Sequence, residues 1–180
     1  MTCVVFAFEV HQPFRLRKQL FWDNKIFRRL KKNELFNYYF DKETDRKIFG
    51  RASEKCYSPS NQILLDLIDK HRKERKKVKV TFSVSGIFLE QCERFDKDLL
   101  ETFKQLAETG CTEFLNQTYY HSISSLYSEK DEFVEQIRMH REITKDLLGF
   151  EPRVFENTEL LFELCGSYFS SIFHKTFDSS

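Results

Sequence analysis

Apolar and polar positions follow two rhythms along this chain, and the switches between them mark out its elements. Cys3 to Val10 (Cys-Val-Val-Phe-Ala-Phe-Glu-Val) is an almost unbroken β-branched and aromatic run. Such a run predicts a strand buried on both faces, as in a parallel sheet. It stops at His11-Gln12-Pro13, because proline cannot donate to a ladder. Lys77 to Ser85 alternates with period two and predicts a second strand. Cys111 to Leu115 predicts a short third strand, and Arg153 to Phe155 a fourth. Helical spacing fills the intervals. Ser58-Pro59 has the form of a helix start, with Ile63, Leu64, Leu67 and Ile68 following on one face. Gly86 opens a helix through Leu89. Leu99, Leu100, Phe103, Leu106 and Ala107 then form an apolar stripe that ends at Gly110. Ser128 to Asp131 reads as a capping box. It opens a long helix with Phe133, Ile137 and Leu147, which Gly149 closes. Residues 14–57 form a long connection with short helical patterns (Ile26 and Leu30, Leu35 and Tyr39), too aromatic for disorder.

The order β-α-β-α-β-α-β, with right-handed crossovers, predicts an α/β fold with a parallel sheet. Four βα units amount to about half of a TIM-like (β/α) barrel of ~250 residues. The expectation is a partial barrel, truncated after about four βα units. Residues 1–180 would be the N-terminal portion of one barrel domain, and 163–180 an atypical tail rich in phenylalanine and serine.

Composition changes this picture little. Hydrophobic residues make up 41%, enough for a core, and the net charge of +1 shows no bias toward nucleic acid. Cys3, Cys56, Cys92, Cys111 and Cys165 form no CxxC pair, and their odd number argues for free thiols in a reducing, cytoplasmic compartment. No stretch approaches 18 apolar residues and residues 1–10 lack a basic region, so neither a membrane span nor a signal peptide is expected. The basic run Lys70 to Lys79 reads as a solvated helix terminus that complements the helix dipole.

Candidate chemistry gathers just after the strands. His11 and Gln12 follow the first, Ser83 and Ser85 close the second, and Glu113, Tyr119, Tyr120 and His121 lie on or after the third. Glu156, Asn157 and Glu159 follow the fourth. A (β/α) barrel places its catalytic groups on that rim. Without a glycine-rich phosphate loop, the rim leans toward sugar: aromatics stack on pyranose faces, and a carboxylate can serve as nucleophile or acid. Taken singly, His11 and His121 would be structural hydrogen-bonding residues and Glu159 an exposed loop carboxylate. Their shared placement lifts them together. His11, Glu113, His121 and Glu159 are types that bind metals, but no HxH or HExxH spacing supports this, and no metal is expected.

These residues carry a resemblance. His11-Gln12-Pro13 after a Phe-x-Phe-x-Val strand resembles the first signature of the family 57 glycoside hydrolases, in their α-amylase-like branch. Gly110 to Leu115 with Thr118 to Ser122 is similar to the second, and Glu151 to Phe155 with Asn157 to Leu160 to the third. Glu54 to Tyr57 and Ser85 to Gln91 match the connecting segments, so the likeness spans roughly residues 3–162. It implies an incomplete (β/α)₇ barrel and retaining cleavage or transfer of α-glucans or maltooligosaccharides, with no cofactor. By motif match Glu159 falls on the nucleophile. His11, Glu113 and His121 fall on the donor-sugar subsite.

Three features depart from the branch. Glu156 stands where arginine is usual, and a second carboxylate three residues from Glu159 would raise the nucleophile's pKa if the two side chains are close. Asn116-Gln117 replaces a usual Ala-Glu pair. The family's acid/base aspartate, on a later strand, has no counterpart here. Retaining hydrolysis needs two carboxyl groups about 5–5.5 Å apart. The chain alone is therefore expected to have little α-glucan activity, and to need a complementary C-terminal chain or self-association. Two other readings stay open: a non-catalytic carbohydrate-binding or interaction protein, and a metal-dependent polysaccharide deacetylase-like barrel.

Overall fold

Three parallel strands form the sheet of the computed structural model, which describes residues 4–18, 30–74 and 77–161. They are β1 (Ala7–Val10), β2 (Val80–Val84) and β3 (Thr112–Leu115), side by side in that order. Cys3, Ile26 and the tail from residue 163 lie outside the described residues. The register aligns Phe8 with Phe82 and Phe114, and Glu9 with Ser83 and Leu115. Ala7 aligns likewise with Thr81 and Glu113. Side chains alternate across a strand, so this register sorts the sheet into two layers. Val80, Phe82, Val84 and Phe114 face the helices and are buried. Ala7, Glu9, Thr81, Ser83, Glu113 and Leu115 line the opposite face.

Among the described residues, six α-helices accompany the sheet: α1 (Leu35–Tyr39), α2 (Lys42–Ala52), α3 (Ser58–Lys70), α4 (Gly86–Phe95), α5 (Lys97–Glu108) and α6 (Asp131–Leu148). Phe49, Phe88, Phe103 and Phe114 are fully buried and run as a chain of rings from α2 through α4 and α5 to β3. Successive centroids are 5.4, 5.9 and 6.4 Å apart. Such tilted and edge-on pairs add roughly 0.5–1.5 kcal/mol each beyond area burial. The stripe Leu99, Leu100, Phe103 and Leu106 on α5 is buried as its spacing predicts, and Asp96 caps that helix by accepting from Leu99 N–H at 3.0 Å. Gly149 ends α6 in the left-handed conformation, φ 65°.

Several expectations are corrected. The first strand is shorter than Cys3 to Val10, and it is not buried on both faces: Val4, Val5 and Phe6 are 74%, 76% and 60% exposed. Among the described residues no strand pairs with the outer edge of β1, which leaves this apolar run at the border of the sheet. The fourth strand reduces to one parallel bridge between Asn116 and Phe155. Asn116 N–H donates to the Val154 carbonyl at 2.7 Å, and Glu156 N–H donates to the Asn116 carbonyl at 2.9 Å. Ser58-Pro59 opens α3 with proline in the first turn, as expected, but Tyr57 and not Ser58 is the N-cap and the start is not a free helix end. The chain is helical from Lys42 and passes through a π-turn, Ser53–Tyr57, into α3. Proline lacks an N–H and crowds the carbonyl one turn back. Widening the turn relieves this, and Ser58 N–H reaches the Ser53 carbonyl. The buried face of α3 is Asn61, Leu64, Leu65 and Ile68, whereas Ile63 and Leu67 are exposed. Asn61 turns inward because Thr102 Oγ1 accepts from it at 2.8 Å. The capping box is absent, since Lys130 holds the N-cap position of α6 without a side-chain cap.

The buried face of α6 carries Gln136, His140 and Thr144 beside Phe133 and Ile137. His140 Nε2 donates to the Val84 carbonyl at 2.7 Å, and Nδ1 lies 2.7 Å from the Asn116 side-chain amide. One imidazole thus ties α6 to the C-terminal ends of β2 and β3. Burial lowers its pKa to about 4, only partly offset by the bond to Val84.

Two predictions follow from this packing. The unfolded chain takes up the His140 proton near pH 6.5 and the fold only near 4, so stability is complete above about pH 6.5 and falls as pH drops toward 4. Urea midpoints across that range should show the decline, with a shallower slope in His140→Gln. A Cβ on Gly86 would sit 2.5 Å from Tyr119 Cδ2. Gly86→Ala should therefore cost about 1–3 kcal/mol, read from the denaturation midpoint.

Candidate functional site

The rim residues come together because three loops leave the C-terminal end of the sheet on the same side. His11 follows β1, with the same parity as Glu9 on the face away from the helices. Its Nδ1 is 2.8 Å from Ser85 Oγ, at the end of β2. The His11 ring stacks on His121 with centroids 4.4 Å apart and planes 24° from parallel. Burial, and then the neighbouring His121, lower the His11 pKa to about 4, so His11 is neutral at pH 7.

The loop holding His11 is anchored from behind. Gln91, fully buried on α4, donates from Nε2 to the Gln12 carbonyl at 2.6 Å. Gln12 donates to Tyr57 Oη at 2.8 Å and accepts from Arg15 at 2.9 Å. Arg15 in turn pairs with the buried Asp45 at 3.2 Å. Burial raises the Asp45 carboxyl above its ordinary range, against the opposing pull of Arg15.

His121 and Glu159 share an unusual backbone state. Their φ values are 53° and 57°, in the left-handed region that non-glycine residues seldom occupy. Each such residue costs about 1–3 kcal/mol and persists only where surrounding contacts impose it. The contacts here link the two turns. Thr118 and Thr158, both buried, set their hydroxyls 2.7 Å apart. Thr118 Oγ1 also accepts from Ser122 N–H at 2.8 Å, and Asn157 Nδ2 donates to the Leu161 carbonyl at 2.6 Å. His121 Nε2 then lies 2.9 Å from Glu9 Oε1 and 3.5 Å from Glu159 Oε1. The Glu159 side chain is 68% exposed and the His121 side chain 11%.

Gln117 lies beneath this cluster, 1% exposed. Val84 N–H and Ser85 N–H each approach one end of its amide at 3.2 Å, which makes that end the oxygen. Ser83 Oγ reaches the same oxygen at 3.0 Å. The amide nitrogen therefore faces His121 Nδ1 at 3.1 Å.

Of the four residues singled out from the sequence, His11, His121 and Glu159 meet. Glu113 does not join them at the rim. It aligns with Ala7 and Thr81, two interior positions below Gln117, with Oε1 buried and lacking a hydrogen-bond partner among the described residues. Glu156 Oε2 is buried in the same condition. Tyr119 turns away from the cluster: its ring packs on Gly86 and its hydroxyl donates to Glu90. Burial first, and then Glu90, raise its pKa. Glu9 was missed. It breaks an apolar run two positions before His11, and that parity was the available signal. Among the described residues, Glu9, His121 and Glu159 could be considered for a cation, with ligand atoms all within 4.8 Å of one another. No described helix is long and apolar enough to cross a membrane.

The chain is 39% identical over 159 residues to a Methanocaldococcus jannaschii protein assigned by inference as an alpha-amylase, a match covering 88% of this chain and 31% of that protein. It is 29% identical over 116 residues to an alpha-amylase of Pyrococcus horikoshii, covering 64% of this chain and 17% of that one. It thus spans about a third or less of the length of these relatives. Among solved structures, the 4-alpha-glucanotransferase of Thermococcus litoralis superposes with a TM-score of 0.63 at 17% identity, over 96% of this chain and 21% of that one. The alpha-amylase AmyC of Thermotoga maritima gives 0.54 at 17% identity, over 93% and 38%. These two likenesses bear on the fold. The profile of glycosyl hydrolase family 57 matches residues 5–164, and the chain belongs to that family.

Proposed function

We propose that this chain forms the first part of a (β/α)₇ barrel of an α-glucan-acting, retaining glycoside hydrolase, of α-amylase or 4-α-glucanotransferase type. Glu159 is its nucleophile. The observation that carries this reading is the exposed Glu159 carboxylate, held on a left-handed turn by the buried Thr118–Thr158 contact and facing the His11–His121 stack. A nucleophile needs a free oxygen and a fixed backbone, and the turn supplies both.

In this reading Glu159 attacks the anomeric carbon, and the glycosidic oxygen leaves as it gains a proton from a second carboxyl group. Water or an acceptor hydroxyl then releases the glycosyl enzyme. His11 and His121 form one wall of the donor-sugar subsite, offering ring nitrogens to sugar hydroxyls. Glu113, deeper on the same face, has an unpaired oxygen for a hydroxyl or a water beneath the sugar.

A 5-fluoro-α-glucosyl fluoride separates the two carboxyl roles, because fluoride departs without protonation. Intact mass should rise by one fluoroglucosyl unit, and peptide mapping should locate it on Glu159. Glu159→Gln should remove the label, and in the complete enzyme should lower kcat by several orders of magnitude. No label, together with maltooligosaccharide binding unchanged by Glu159→Gln, would instead support a carbohydrate-binding role.

A further inference from the structure

We propose that Gln117 is a positioning residue of this site: it holds His121 in the Nε2–H tautomer, which makes the imidazole a hydrogen-bond donor to Glu9 and Glu159 instead of a ligand, with them, for a divalent cation. The Gln117 oxygen faces the donors Val84 N–H, Ser83 Oγ–H and Ser85 N–H, the last shared with the Val10 carbonyl at 3.1 Å, and an amide N–H at that end would meet only donors. Its amide nitrogen can only donate, and it faces His121 Nδ1 at 3.1 Å. Nδ1 must therefore present its lone pair. A neutral imidazole carries one N–H, so that hydrogen is on Nε2.

The far end of the ring biases the tautomer the same way, but more weakly, because the Glu9 and Glu159 side chains there are 50% and 68% exposed and screened by solvent. Nε2 faces two carboxylate oxygens, at 2.9 Å from Glu9 and 3.5 Å from Glu159. An N–H there is attracted to both, whereas a lone pair would be repelled by both. A metal-binding histidine needs the reverse arrangement, with its second nitrogen donating to a carbonyl or carboxylate. Gln117 presents a donor where an acceptor would be required. Glu9, His121 and Glu159 thus have the proximity of a ligand set and the hydrogen count of a hydrogen-bonded triad.

Glu9 becomes part of the site through this arrangement. It takes the closer share of the Nε2–H, which leaves the more exposed Glu159 carboxylate open to substrate. Only this last consequence rests on the hydrolase reading; the tautomer does not.

The test is a long-range ¹H–¹⁵N correlation on the full chain labelled with ¹⁵N-histidine at neutral pH, with His121→Asn assigning the resonances. The expected pattern is a pyrrole-type Nε2 and a pyridine-type Nδ1. Gln117→Glu keeps the size and the acceptor oxygen but presents an acceptor to Nδ1. It should reverse the pattern, and should create a one-to-one zinc site by calorimetry that is lost when His121→Ala is added. Should Gln117→Glu fail to fold, Gln117→Met removes the donor at similar volume and should let both tautomers appear. A wild-type Nδ1–H pattern overturns the proposal. So does stoichiometric zinc on the wild-type chain that His121→Ala abolishes, or an unmixed Nε2–H pattern in Gln117→Met. Absence of fluoroglucosyl labelling would remove the hydrolase reading and leave the tautomer standing.

Discussion

Polar groups at the C-terminal end of a parallel sheet must find partners once helices and loops close over them, and this structure depends on how that demand is met. Asn116 and Gln117 meet it together. Adjacent residues at a strand end point to opposite faces. Asn116 points toward α6, where His140 reaches both its amide and the Val84 carbonyl. Gln117 points the other way, collects Val84 N–H and Ser85 N–H, and turns its nitrogen to His121. Consecutive amides thus serve the packing of a helix on one side and the alignment of an imidazole on the other. The backbone of Asn116 also receives the returning chain at Phe155, which carries Glu159 into place.

The same economy recurs behind the rim. Gln91 is buried among apolar residues of α4, yet it holds the main chain of the His11 loop. Gly86 lets the Tyr119 ring lie directly on the start of α4, and that ring fixes the residues just before His121. The positive φ angles at His121 and Glu159 are sustained by the paired threonines below them. Each exposed, chemically capable side chain therefore has a buried polar or steric support beneath it.

Much of this was legible in the sequence. The stripe on α5, the glycine closing α6 and the placement of His11 and His121 after strands follow from periodicity and turn chemistry. What was not legible depended on neighbours. The run ending at Val10 has the composition of a buried strand, but burial depends on what lies beside it, and β1 is an edge among the described residues. Ser58-Pro59 has the form of a helix start, yet a preceding helix absorbs the proline through a π-turn. Phe155 needed a ladder to be a strand and has a single bridge. Glu113 belongs by motif with His11, but register sets it deeper. The orientation of Gln117 depends on two N–H groups more than thirty positions away.

The exposed border strand has a kinetic side. β2, α4, α5, β3 and α6 follow one another along the chain and can assemble through near neighbours, whereas β1 must pair Ala7 with Thr81 across a long intervening segment. Pairings of large sequence separation carry the loop-closure cost and tend to form late. Glu9 and His11 both arrive with β1. The helical core and the Asn116–His140 clasp can thus be in place while the cluster is still half built, its last members delivered by the most distant strand pairing in the described chain.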